Sequence, residues 1–169
     1  AILRYKYGMA VEEQSAGQRN KEPYNRFISM NFMICRDAFL KVRFDETFHL
    51  GYEDTLFGMQ LEQAGVEILH IDNPVYHLVE ENSEQFLMKI RRAVRNLDGH
   101  IEQMHSHVKL LRWYACVKRL GMAPLVAFLF RQIEKRLVSN LTSRKPSLKL
   151  FAFYKLGYLC NFLSQKKPD

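Results

Sequence analysis

FDETFHLGYEDTLFGMQLEQAGVEILHIDNPVYH, which spans residues 44–77, is the stretch of sequence that decides the fold. Near its centre two adjacent carboxylates, Glu53 and Asp54, open an amphipathic run whose apolar positions trace one helical face. Gly65 then ends the run, and glycine tolerates the positive φ with which many helices end. The pattern predicts a helix over residues 52–64 that carries both carboxylates in its first turn.

Extended segments are predicted on both sides of this helix. Residues 27–35 read FISMNFMIC, in which Ser29 and Asn31 stand two apart among apolar residues, as in a strand with one polar face. Residues 66–71 are rich in β-branched side chains and predict a buried strand, and residues 74–79 predict a shorter extended piece. Strand, helix and strand in this order favour an α/β fold.

Most of the remaining chain is predicted to be helical. Asn82 and Gln85 have the spacing of a capping box, and apolar residues then recur at helical spacing over roughly 20 residues. Residues 1–26 are expected to form a short polar helix and a loop outside the core. Further helices are predicted at 36–40, 108–120, 124–140 and 147–163.

The charge is divided unevenly along the chain. Residues 1–82 carry 8 Lys+Arg against 13 Asp+Glu, a net charge of −5, whereas residues 83–169 carry 17 against 5, a net charge of +12. A basic surface suits an anionic membrane, a nucleic acid or an anionic ligand, and charge alone does not choose among them. No segment has the ~20 consecutive apolar residues that a membrane-spanning helix needs.

The predicted helix at 108–120 is basic and amphipathic. Its apolar side includes Trp113 and Tyr114, while Arg112 and Arg119 lie on another side. Such a helix either lies in a membrane interface or packs on its own domain with a solvated basic face. The sequence leaves both alternatives open.

Five short motifs follow one another in order between residues 24 and 78. They are the F-x-I-x-R that starts at Phe32 and continues to Phe39, FDE at 44–46, GYED at 51–54, the AG at 64–65 that ends the predicted helix, and PVYH at 74–77. Together they resemble the C-terminal, acceptor-side half of bacterial family 2 glycosyltransferases of the GT-A type. The resemblance implies an α/β fold class: a partial GT-A-like mixed sheet with flanking helices over residues 1–81. An all-helical basic extension, associated with a membrane surface, is expected over residues 82–169.

The carboxylate pair has a catalytic role by this resemblance. An inverting transferase moves a sugar from a nucleotide diphosphate to an acceptor hydroxyl in one displacement, so a carboxylate must take the hydroxyl proton. The resemblance makes Asp54 that base, and Glu53 would orient the acceptor or hold the local geometry. Side chains at i and i+1 of a helix point about 100° apart, so the two should not share one role. The alternative is that both only complement the positive end of the helix dipole.

Two further residues are assigned to acceptor binding by the same resemblance. Asn31 matches a position that lines the acceptor cleft, although its amide could instead satisfy backbone groups. Tyr52, next to the acidic pair, would stack on a sugar ring or pack in the core.

The resemblance also implies a divalent cation, Mn²⁺ or Mg²⁺, that stabilises the departing diphosphate. His77 stands where a histidine ligand falls in the family, although an isolated histidine is also an ordinary surface residue. The family's two metal-binding aspartates form an Asp-x-Asp motif, and none occurs in these 169 residues. We therefore expect the donor-binding half to be missing, the cation to be bound only in the complete enzyme, and this chain to be inactive alone.

The expected function is transfer of a sugar from a nucleotide-sugar donor to a glycan or polysaccharide acceptor. The expected location is the cytoplasm, peripheral at the inner face of a membrane, with no nucleic acid as partner. One alternative is a binding or regulatory module that keeps the glycosyltransferase-like fold without catalysis. Another is a basic helical nucleic-acid-binding protein, which no recognition motif supports.

Overall fold

The computed structural model describes residues 2–46, 48, 51–78 and 80–166, and helices form its framework. In chain order they are α1 (Ile2–Tyr7), α2 (Ala16–Arg19), α3 (Arg36–Lys41), α4 (Glu53–Gln63), α5 (Ser83–Asn96), α6 (Ile101–Met104), α7 (Lys109–Arg119), α8 (Ala123–Thr142) and α9 (Leu148–Ser164). A π-helical turn at Gly8–Glu12 and a 3₁₀ turn at Tyr24–Arg26 connect the early elements.

The predicted α/β fold class is wrong, because no strand and no sheet form among the described residues. Residues 27–35 and 66–78 are non-helical, but no ladder of backbone hydrogen bonds joins them. A side chain takes the place of a partner strand at His70. The Asn20 amide donates to the His70 carbonyl and accepts from the His70 N–H, both at 2.8 Å. A β-branched composition favours an extended backbone but supplies no partner strand, and a sheet needs both. Val79, in the predicted extended piece, lies outside the described residues.

Local sequence signals placed most helices correctly. The bounds of α3, α4, α7, α8 and α9 lie within two residues of those predicted. The capping box at the start of α5 is confirmed, since the Asn82 side chain accepts from the Gln85 N–H at 2.9 Å and the Gln85 side chain accepts from the Asn82 N–H at 2.8 Å. The expected length of roughly 20 residues is wrong, because α5 ends at Asn96 and Gly99, with φ +86°, separates it from α6.

The larger of two hydrophobic clusters joins both ends of the chain. It contains Leu3 of α1, Leu56 of α4, Val94 of α5 and the inner faces of α7, α8 and α9. The expectation that residues 1–26 lie outside the core is wrong at Leu3, which is fully buried, because α1 packs on α5, α8 and α9. The cluster takes residues from both sides of the predicted boundary at residue 81, and the two-domain division stays a prediction.

The smaller cluster lies between α4 and the extended segments. It contains Phe27, Val42, Phe57 and Leu61. Phe44 adds to it by stacking on Phe57, with ring centroids 4.1 Å apart and an interplanar angle of 13°. The outer side of α4 is thus held by aromatic packing rather than by a sheet.

Two arginines of α5 tie that helix to α9. Arg91 Nε donates to the Tyr154 hydroxyl at 2.5 Å, and Arg95 Nε donates to the Tyr158 hydroxyl at 2.6 Å. Arg91 also donates to Glu134 of α8 at 2.7 Å. These charge-assisted hydrogen bonds fix the register of α5 against the α8–α9 pair.

Helices α7 and α8 meet at a sharp angle. No single helix among the described residues is long and apolar enough to cross a bilayer; α7 and α8 pass that test only together, and they are bent by 115°. α7 buries Leu110, Leu111 and Tyr114, so it packs on its own domain, whereas Trp113 stays 58% exposed.

Lys155 of α9 places a charge among aromatic rings. Its Nζ lies 4.8 Å from the Phe151 ring centroid and 5.0 Å from that of Tyr7. Burial, with a smaller contribution from Lys109, lowers its pKa from 10.5 to about 8. Because the folded-state pKa lies below the unfolded value, the charged form destabilises the fold below pH 8, and this cost is relieved as the pH rises from about 8 to 10.5.

Lys155→Met is therefore expected to raise the free energy of unfolding by about 1 to 3 kcal/mol at pH 7. The gain should shrink as the pH rises through 8 toward 10.5, because the wild-type lysine then loses its proton in the folded state. Urea denaturation across this pH range measures both effects. Lys149→Met, at an exposed position of α9, is the control and should show neither. A gain from Lys155→Met that does not change with pH would contradict the attribution of the destabilisation to the charged form of Lys155.

Candidate functional site

The two predicted catalytic carboxylates are the first two residues of α4. Glu53 and Asp54 follow Tyr52, which is the N-cap residue but makes no side-chain capping hydrogen bond. The positive end of the helix dipole therefore faces the acidic pair directly. The sequence placed both residues in the first turn, and the structure agrees.

The backbone that leads into α4 is left-handed at two consecutive residues. Gly51 has φ +80° and Tyr52 has φ +71°, and Tyr52 is the only residue other than glycine with positive φ among those described. A bulky residue in this region costs on the order of 1–3 kcal/mol. Packing imposes the turn: a Cβ added to Gly51 would lie 2.3 Å from Cβ of Ala93 in α5, so no side chain fits there. Strained turns of this kind cluster at functional sites.

Both carboxylates of the pair hold an oxygen that is buried and unpaired. Glu53 Oε2 and Asp54 Oδ1 are shielded from solvent and have no hydrogen-bond partner among the described residues. Leaving a buried acceptor unpaired costs about 1–3 kcal/mol, and more for a charged group. Gln60 Oε1 of the same helix is also shielded and without a partner among the described residues, so this condition is not confined to the acidic pair. An oxygen without a partner is compatible with a general base, which must accept a proton from elsewhere.

Tyr52 has the surroundings of a core residue. Its ring packs against the larger cluster, and burial, with a smaller contribution from the Tyr7 phenol, raises the pKa of its hydroxyl. The phenol therefore stays neutral at physiological pH. Of the two alternatives for Tyr52, these contacts favour core packing, and its predicted acceptor-binding role stays a prediction.

The other two predicted site residues line a separate groove. Asn31 and His77 belong to a groove of about 1380 Å³ between the N-terminal segment and residues 66–77, whereas Tyr52, Glu53 and Asp54 do not line it. Asn31 Nδ2 donates to the Asn73 carbonyl at 3.0 Å, which leaves its second N–H and its carbonyl oxygen for another partner. The structure thus forms two groups, the acidic pair at the helix start and the amide and imidazole in the groove.

The described residues do not fit a complete metal site. No group of three or more His, Cys, Asp or Glu side chains among them could hold a metal ion. His77 Nδ1 accepts from Arg4 Nη2 at 3.4 Å, so one ring nitrogen is taken and a positive charge stands beside it. Accordingly, no chemical step is assigned to a cation on this chain, and the role of His77 as a ligand stays a prediction.

A charge network that the sequence did not reveal borders His77. Arg4 contacts Glu12 at 2.8 Å and Glu81 at 4.0 Å, and Lys89 contacts Glu81 at 2.5 Å. The Arg4 guanidinium also lies 5.7 Å from the Phe86 ring centroid. The residues of this charge network are up to 85 positions apart in the chain, so no local spacing pattern could have revealed the network.

Comparisons with known proteins identify no relative of this chain. The chain matches no protein-family model, no curated protein and no solved structure. The functional interpretation therefore depends on the residues and their geometry.

Asp54→Asn should leave the free energy of unfolding unchanged or raise it, because the substitution removes the negative charge of a partly buried side chain whose Oδ1 is shielded and has no partner among the described residues. Urea denaturation of the purified chain measures this. Glu84 stands at the same second position of α5 but is exposed, so Glu84→Gln is the matched control. It should cost about 0.3–1 kcal/mol through the helix dipole alone. A loss for Asp54→Asn as large as that for Glu84→Gln would mean that Asp54 only complements the dipole.

Proposed function

We propose that this chain is the acceptor-side portion of an inverting glycosyltransferase, with Asp54 as the base that takes the acceptor proton. The observation that carries the proposal is the buried, unpaired Oδ1 of Asp54 at the start of α4. The acidic pair directly follows a left-handed turn at Gly51 and Tyr52. The order of motifs from Phe32 to His77 supplies the reaction class.

The proposed step is a single in-line displacement. As the acceptor oxygen forms its bond to the anomeric carbon of the sugar, its O–H bond breaks and the proton passes to Asp54. The bond between the anomeric carbon and the diphosphate oxygen breaks at the same time, and its electron pair leaves with the diphosphate. Base catalysis of this kind contributes typically 10²–10⁴-fold to the rate.

Glu53 is proposed to position rather than to accept the proton. It precedes Asp54 by one residue on α4, so the two side chains point about 100° apart. Its own unpaired Oε2 remains available for a second acceptor hydroxyl. Two carboxylates with separate directions can orient one hydroxyl and deprotonate another, which favours attack from one geometry.

The acceptor glycan is proposed to extend into the groove that Asn31 lines. The second N–H and the carbonyl oxygen of the Asn31 amide suit a sugar hydroxyl, because an amide can both donate and accept. Exposed apolar side chains of the groove, such as Met30 and Phe32, offer surface for the apolar faces of sugar rings. Donor binding and the divalent cation are assigned to a part of the enzyme other than this chain, because Asp-x-Asp is absent from its sequence.

The test uses the product of the complete reading frame and its sugar transfer from a nucleotide-sugar donor. Asp54→Asn is expected to lower kcat by about 10²–10⁴-fold while the donor KM stays nearly unchanged, because the base is lost but donor contacts are not. Glu53→Gln should raise the acceptor KM more than it lowers kcat.

Glu84→Gln again serves as the control and should turn over like the wild type. Wild-type turnover by Asp54→Asn would contradict the assignment of the base. The alternative of a non-catalytic binding module predicts that none of these substitutions changes a rate, since no transfer would occur with any of them.

A further inference from the structure

Helices α7 and α8 form a bent pair, and we call residues 109–136 of this pair the elbow. The end of α7 is closed by two backbone hydrogen bonds, from the Gly121 N–H to the Lys118 carbonyl at 3.0 Å and from the Met122 N–H to the Val117 carbonyl at 2.9 Å. With Gly121 at φ +68°, this is a Schellman cap. The cap fixes the 115° bend between the helices, so the elbow keeps its shape without a partner.

The outer surface of the elbow is apolar, although the helices already have an apolar inner side. α8 buries Val126, Ala127 and Phe130 in the core. Its outward residues at i, i+3 and i+4 are apolar as well, which a solvated helix face does not require. The apolar tip consists of six side chains that are 43–62% exposed: Trp113, Leu120, Met122, Leu125, Phe128 and Leu129. Several large apolar side chains left exposed on neighbouring helices indicate an interaction surface.

The elbow that carries this apolar tip is also rich in cations. Residues 109–136 contain seven Lys+Arg and one acid, a net charge of +6. That acid, Glu134, is paired with Arg91 of α5 at 2.7 Å, so it does not offset the field at the tip. The exposed cations are Lys109, Arg112, Lys118, Arg119, Arg131, Lys135 and Arg136.

We propose that the elbow binds the surface of a bilayer that contains anionic lipids. The apolar tip enters the boundary between headgroups and acyl chains, and the surrounding cations lie at the level of the lipid phosphates. Trp113 suits this boundary, because indole has an apolar body and a polar N–H. The apolar tip and the cations together favour this partner, because an anionic bilayer presents an apolar interior beneath a negatively charged surface. This proposal uses neither Asp54 nor the groove and does not rest on the proposed function.

The test is sedimentation of the purified chain with vesicles of phosphatidylcholine and phosphatidylserine in a ratio of about two to one. Binding to these vesicles is expected, with much weaker binding to pure phosphatidylcholine and a loss as the salt rises from roughly 0.1 M to 0.5 M. Equal binding to both vesicles, or none to the anionic ones, would overturn the proposal.

Substitutions then locate the binding surface. Leu125→Ser with Phe128→Ser should lower vesicle partitioning by about tenfold or more, since both side chains lose apolar surface that would enter the bilayer. Lys135→Glu with Arg136→Glu should lower it by roughly tenfold or more and remove the preference for anionic vesicles. All four residues are exposed, so the fold should persist, and circular dichroism checks this.

Two matched controls separate the elbow from other exposed groups. Met33→Ser with Leu69→Ser removes apolar residues that are 97% and 78% exposed outside the elbow, and it should not change binding. Lys21→Glu with Arg43→Glu makes the same charge change elsewhere and should have a clearly smaller effect.

The competing occupant of the tip is a second copy of the chain. Sedimentation velocity without vesicles tests it. A dimer that Leu125→Ser with Phe128→Ser dissociates would show that the tip is a protein interface and would overturn the proposal, whereas a monomer supports it.

Discussion

The start of α4 depends on the close approach of Gly51 to Ala93 of α5. Because an added Cβ at Gly51 would lie 2.3 Å from Cβ of Ala93, the backbone there cannot carry a side chain. The contact brings the chain onto α5 in a left-handed turn, and Tyr52 continues that turn at a cost in backbone strain. α4 then begins with two acidic residues that each keep one oxygen unpaired. Backbone packing, rather than a hydrogen bond to the carboxylates, thus sets their position.

The C-terminal helices support this site instead of standing apart from it. Arg91 and Arg95 hold α5 against α9 through the hydroxyls of Tyr154 and Tyr158, and α5 in turn presents Ala93 to the turn before α4. The same bundle includes the α7–α8 elbow, which leaves apolar residues and cations exposed. One helical framework therefore carries a candidate catalytic surface and a separate cationic apolar surface.

The features that the sequence predicted correctly are those that depend on neighbouring residues. The start of α4, its end at Gly65 and the capping box at Asn82 each depend on residues within a few positions, and all are present. The sheet was wrong because strand pairing is non-local: residues near His70 meet the amide of Asn20 instead of a strand. The burial of Leu3 and the Arg4 network were missed for the same reason. For the site, the first-turn position of Asp54 was predictable, but its unpaired oxygen depends on packing across the chain.

A double-mutant cycle on Gly51 and Ala93 tests most directly whether this contact sets the start of α4. Gly51→Ala should destabilise the chain strongly, through the steric overlap and through the positive φ. Ala93→Gly should cost about 1 kcal/mol as a glycine within a helix. Because that second change removes the overlapping Cβ, the double variant should be more stable than the sum of the single effects predicts, by about 1 kcal/mol or more. Strict additivity in urea denaturation would contradict the account, since it would mean that the two residues do not meet.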